Sequence, residues 1–230
     1  MARAIDAAMI EARLRDLAAV SVNQTVSLFK GGTFALAAVM LIEIAFTPDD
    51  RITRLILWAS TVFMVMTSYN AWLNSTVTLF REGVGNVVAM VAQGMVELML
   101  FAVLTPRPVA GAWRYWIVVA AVFFIITGAR LATPMNKGAS VDPDVQPLFD
   151  LVQRSRTVTS RAVLTTAVLA ALLAIPTIAL PEISPWPRRL CLALAAFNIV
   201  HATIAMFQQQ RERDAMDEML DAAAQSGAQR

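Results

Sequence analysis

The chain has 230 residues, 57% hydrophobic and 16% charged, with a net charge of +2 and a mean hydropathy of +0.59. A soluble domain carries about 25% charged residues, and here the deficit falls in long apolar blocks that mark an integral membrane protein. The small net charge, with no Arg/Lys stripe interleaved with aromatics, gives no case for nucleic-acid binding. A single cysteine, Cys191, rules out an intramolecular disulfide, and a single histidine, His201, rules out a bis-His haem or His-rich metal centre within one chain.

Residues 2–22 read as a helix in which Ile10, Leu14 and Leu17 share a face. Arg3, Asp6, Glu11, Arg13, Arg15 and Asp16 interrupt any apolar core, so this stretch is not read as a cleavable signal. Residues 1–25 are therefore assigned to an interfacial or cytoplasmic helix. The first span runs from Val26 to Phe46, with Gly31 and Gly32 offering close contact or a bend and Glu43 snorkelling at its far end. The second span follows Arg51 and Arg54 and reaches Leu79. Ser60, Thr67, Asn70, Asn74, Thr78 and Arg81 give it one polar face. The sequon Asn74-Ser75-Thr76 lies in this helix near the cytoplasmic side and is set aside.

The third span is the most informative. In NVVAMVAQGMVELMLF, from Asn86 to Phe101, the polar residues Asn86, Gln93 and Glu97 stand seven and four residues apart. At about 3.6 residues per turn they share a face. Glu97 is the only carboxylate read in the middle of an apolar span. Pro106 and Pro108 end this span, and the fourth runs from Trp113 to Leu131, with Trp113, Tyr115 and Trp116 read as an interfacial aromatic belt. Residues 132–160 read as a polar cytoplasmic loop in which 148–154 form a short surface helix. The fifth span, Ala162 to Leu180, carries the small-residue pairs Ala167/Ala171 and Ala170/Ala174, and Pro176 bends its end. The sixth, Leu190 to Phe207, holds Asn198 and His201, and residues 210–230 continue as a charged cytoplasmic helix.

The expectation is thus an all-α, polytopic protein with six spans in one unit, 26–209, between two terminal helices. Orientation follows Lys and Arg. One side collects Arg3, Arg13, Arg15, Lys30, Arg81, Arg130, Lys137, Arg154, Arg156, Arg161, Arg211, Arg213 and Arg230. The other holds Arg51, Arg54, Arg107, Arg114, Arg188 and Arg189. Both termini are therefore expected on the cytoplasmic face, in a bacterial inner membrane.

No HExxH, GxSxG, glycine-rich phosphate loop or TVGYG filter occurs, no lysine is read as intramembrane, and no enzyme is expected. Two functions remain. In the first, a channel or transporter passes a small cation, a proton or a small polar solute along spans two, three and six. Glu97 supplies charge, and Gln93, Thr67, Asn70 and Asn198 replace hydration. Asn74 and Asn86 line the inner mouth, Arg81 tunes its field, and His201 relays protons. Pores of this kind often assemble as homo-oligomers. In the second, the polar residues are interhelical glue. The chain is then a non-conducting subunit or scaffold that docks a cytoplasmic protein through residues 1–25 and 210–230. Neither reading calls for a cofactor or metal.

Overall fold

The computed structural model describes the backbone of residues 7–76, 84–105, 111–132, 146–179 and 185–228, and the side chains of 24, 26–71, 88–105, 111–132, 150–178 and 185–219. Six helices account for almost all of it: α1 Ala7–Phe46, α2 Arg51–Thr76, α3 Val84–Ala102, α4 Ala112–Ala132, α5 Gln146–Ala179 and α6 Trp186–Ala228. No strand occurs among the described residues. Five of these helices are long and apolar enough to cross a membrane. α3 has a shorter apolar stretch, Val88–Ala102.

The helices alternate in direction. At one end Arg188 bonds Asp50 and, at 2.6 Å, Thr53, while Arg54 donates to the carbonyl of Leu104 at 3.0 Å. These contacts gather the α1–α2 turn, the end of α3 and the start of α6. At the opposite end Arg213 donates to Asn70 Oδ1 at 3.3 Å, and Arg156 to the carbonyl of Arg130 at 3.1 Å. That turn, TPDD, places Asp50 at φ 58°, a left-handed conformation that Asp tolerates better than most residues.

α4 is the hub. Trp116, Ile117 and Ala120 are fully buried, together with Leu57 of α2, Leu100 of α3, Leu104 just beyond it, Ala170 of α5, and Cys191 and Ala195 of α6. A second cluster joins Ala37 and Met40 of α1 to Val65 of α2 and Phe101 of α3. The most extensive packing is α4 on α5, followed by α2 on α6 and α1 on α3. Of the four alanines predicted to bring a helix close, Ala167, Ala170 and Ala174 are buried in this cluster and Ala171 is partly buried, and α5 packs chiefly on α4. Gly128 of α4 continues the seam, because a Cβ there would lie 2.6 Å from Leu164 Cδ2.

The outward faces are apolar. Val168, Leu172, Ile175 and Ile178 on α5, and Phe197, Val200, Ile204 and Phe207 on α6, are all exposed. In water such a surface would be an aggregation or binding patch, whereas hydrocarbon accepts it.

Three local readings change. α5 starts at Gln146 and runs unbroken to Ala179, so 146–160 belong to the fifth helix and are neither loop nor separate surface helix. Nothing breaks the helical pattern between Leu151 and Ala162, since the prolines of this region stop at Pro147, in the first turn where the missing N–H costs nothing. The aromatic belt splits, because successive residues point about 100° apart. Tyr115 faces out, while Trp113 and Trp116 turn into the core, Trp116 Nε1 donating to Thr61 Oγ1 at 2.9 Å. A Cβ at Gly31 or Gly32 would meet nothing within 4 Å, so these glycines do not mediate the close approach of α1; Gly94 of α3 does.

Candidate functional site: a buried lysine–glutamate pair

Gln93 and Glu97, one turn apart, lie on the same face of α3, and the structure points that face into the bundle. Gln93 is 3% exposed and Glu97 0%. Opposite Glu97 stands Lys30 of α1, 8% exposed. Its Nζ lies 2.5 Å from Oε1 and 2.6 Å from Oε2 of the carboxylate. Such short contacts to both oxygens make a charge-assisted, almost fully buried pair. Gly94 allows it: an added Cβ there would come within 3.1 Å of the Phe29 ring, the residue just before Lys30. The missing side chain lets α1 come close enough for the lysine to reach.

The pair belongs to a hydrogen-bonded network. Ser68 of α2 donates to Glu97 Oε1 at 3.2 Å and accepts from Lys30 Nζ at 3.4 Å. Gln93 Nε2 reaches Glu97 Oε1 at 3.3 Å and bonds Ser68 Oγ, while its Oε1 accepts from Arg130 Nη1 of α4 at 3.1 Å. Arg156 of α5 then holds the backbone carbonyl of Arg130. Groups from five helices are thereby tied together.

The residues singled out from sequence separate into groups. Gln93 and Glu97 share the network. Thr67, Asn198 and His201 line a neighbouring cavity of about 60 Å³ between α2, α4, α5 and α6. Ser68 links the two places, since it lines that cavity and bonds Glu97. Within the cavity wall, Thr67 Oγ1 bonds the carbonyl of Phe63, and Asn198 Nδ2 bonds Ser60 Oγ at 3.0 Å. His201 stacks on Phe197 with ring centroids 6.0 Å apart. Asn70 receives Arg213 at the end of the bundle. The side chains of Asn74 and Asn86, and Arg81, lie outside the described residues.

The partner that sequence reading missed is Lys30. By sequence it counts with the N-terminal charges, and no lysine is expected inside a span. Yet it stands four residues past Val26, about 6 Å into the span at about 1.5 Å per residue. That position was the available signal: a cation one turn inside an apolar segment, on a chain whose third helix buries one carboxylate. Ser68 was missed too, because a serine in an apolar helix is common glue.

Among the described residues no group of three His, Cys, Asp or Glu could hold a metal ion. Comparison with protein-family models, with curated proteins and with solved structures returned no match. The reading of this site therefore rests on its chemistry.

Proposed function

We propose that the chain is a six-span membrane transporter, termini on the cytoplasmic side of a bacterial inner membrane, that moves protons, alone or with a small polar solute, by exchange at the Lys30–Glu97 pair. The observation that carries this reading is the pair itself, buried between α1 and α3 and joined through Ser68 to a cavity beside it. An intramembrane ion pair contributes little net stability compared with an apolar replacement, so its presence favours a working role. The proton is the favoured cargo among those the sequence allows. Both carboxylate oxygens are already engaged by an ammonium, and Arg130 and Arg156 stand beside the network. A metal cation would have to displace the first and approach past the others. A proton need only pass from Nζ to the carboxylate, which converts the ion pair into a neutral pair and frees both groups to be hydrated from one side or the other.

The sixth crossing is assigned to α3. Its 19 residues extend about 28 Å at about 1.5 Å each, close to a hydrocarbon core of about 30 Å.

The test is proton flux in proteoliposomes loaded with a pH-sensitive dye, under imposed pH and voltage gradients. Wild type should acidify the lumen. The charge-free double variant Lys30→Met/Glu97→Gln should fold but lose flux by roughly tenfold or more, the effect of one positioned acid–base group being about 10²–10⁴-fold. Absence of wild-type flux under every gradient, or full flux in the double variant, rejects the reading.

A second reading, a scaffold, draws on one observation. α6 continues unbroken past the apolar residues to Ala228, carrying exposed Arg211, Asp214, Asp217 and Glu218. Such an extension suits a cytoplasmic protein partner. Deleting 217–230 should then abolish partner recovery from solubilised membranes while the rest of the fold stays intact.

A further inference from the structure

The Lys30–Glu97 pair separates two unlike halves of the bundle. Toward the end that carries Asp50, the next layer is apolar. Phe101 lies one turn beyond Glu97 on α3, Val65 lies three residues before Ser68 on α2, and Ala37 and Met40 follow Lys30 on α1. All four are buried, Val65 and Phe101 completely. At about 1.5 Å per residue this layer stands roughly 5–15 Å from the pair. Trp58 of α2 braces it, Nε1 donating to the carbonyl of Ala37 at 2.8 Å.

Toward the opposite end, the 60 Å³ cavity begins at the pair itself. Ser68 donates to Glu97 Oε1 and lines the cavity. From there the walls extend past Ala71 and Leu131 to Thr159 and Gln209, four residues short of Arg213. Half of the lining residues are polar, yet no Asp, Glu, Lys or Arg stands among them. The hydroxyl of Thr159, the ring of His201 and Oδ1 of Asn198 line it without a hydrogen bond to any protein group among the described residues. Inside a bilayer such groups need a partner.

Size and chemistry choose that partner. A polar cavity holds water where each molecule finds two to four partners, and one water needs about 10–15 Å³. The 60 Å³ here thus holds a few waters and no solute of metabolite size. An ion is disfavoured, because no charged side chain lines the wall to replace its hydration.

We propose that this cavity is a water-binding vestibule that joins the Lys30–Glu97 pair, through Ser68, to the end of the bundle marked by Arg213, while Ala37, Met40, Val65 and Phe101 seal the other side. In this conformation the pair exchanges protons with one face only, the cytoplasmic face in the proposed orientation. A hydronium at the vestibule edge gives its proton to Ser68 Oγ as the hydroxyl's own proton passes to Glu97 Oε1, which it already faces. Water and a neutral carboxyl result, and the reverse step releases the proton. This role rests on the transport reading, whereas the water is detectable without transport.

The experiment is hydroxyl-radical footprinting of the wild-type full chain in detergent micelles. A brief X-ray pulse makes radicals from water in place, and a methionine beside that water becomes its sulfoxide. Met64 lines the cavity and Met40 sits in the apolar layer, yet they are almost equally buried, 3% and 4% exposed. Surface exposure alone therefore gives them equal rates. Met64 should oxidise severalfold faster than Met40. Ala205→Leu, which narrows the cavity away from the pair, should slow Met64 and leave Met40 unchanged. Equal rates for the two methionines, both fast or both silent, overturn the proposal. In the proton-flux assay Ser68→Ala should lose flux by roughly tenfold or more while Met64 stays reactive, and Ser68→Thr should restore it. Full flux in Ser68→Ala takes the hydroxyl out of the route. A wild type without flux rejects transport itself, and the methionine contrast then still decides whether the cavity holds water.

Discussion

An ammonium lying 2.5 and 2.6 Å from the two oxygens of one carboxylate, at a position with 0% exposure for the glutamate, makes each charge depend on the other. Removing one partner strands the other in a medium that solvates it poorly, at a cost of about 3–5 kcal/mol, whereas removing both is close to neutral. Lys30→Met and Glu97→Leu should therefore each lower the midpoint of thermal unfolding in detergent by several degrees, and Lys30→Met/Glu97→Leu should recover most of the loss. Equal losses in the single and double variants would refute the coupling. This also marks how far the residues could be read in advance. Gln93 and Glu97 were legible because periodicity places them on one face. Their partner was not, because a lysine one turn inside a span can equally extend to the interface. What decides it is the close approach of α1 at Gly94, a tertiary fact with no local signature. Thr67, Asn198 and His201 share one cavity wall, yet depth along the helix axis did not reveal that it is a wall distinct from that of Glu97.

For the elements, periodicity and proline positions were enough to locate six helices, and their failures have a common cause. A helix does not stop where its sequence turns polar. α1, α5 and α6 run 40, 34 and 43 residues, because polar residues continue a helix in water as well as apolar ones do in lipid. The α4–α5 seam was legible from its alanines, but the glycine opposite them was not. Gly128 accepts Ser160 Oγ on its carbonyl at 3.1 Å, and an added Cβ would lie 2.7 Å from Leu164 Cγ. Gly128→Val should force α4 and α5 apart, with a loss of about 1–3 kcal/mol from overpacking. Leu164→Ala should relieve most of it in the double variant. Unfolding midpoints in detergent for the two singles and the double measure this directly, and failure of Leu164→Ala to rescue would place the strain elsewhere.

On the scale of the whole molecule, the alternating helices give two ends with distinct chemistry. One carries the Asp50–Arg188 contact; the other carries Arg130, Arg156 and Arg213, to which the exposed Arg211 adds charge. In the proposed orientation this second end is the cytoplasmic one, since Lys and Arg resist translocation. The single native cysteine makes the assignment easy to test, because Cys191 is fully buried and should stay silent to a membrane-impermeant maleimide. Gln24, Asp49 and Asp217 are all exposed and offer three reporter positions. In intact cells Asp49→Cys should label at once, while Gln24→Cys and Asp217→Cys should label only after permeabilisation. Labelling of Gln24→Cys and Asp217→Cys from outside, with Asp49→Cys protected, would invert the protein. Labelling of Gln24→Cys and Asp217→Cys from opposite sides would mean that one helix does not cross, and α3, with the shortest apolar stretch, would be that helix. The Lys30–Glu97 pair would then lie beside a re-entrant segment open to one face, and proton exchange between the two faces would lose its route.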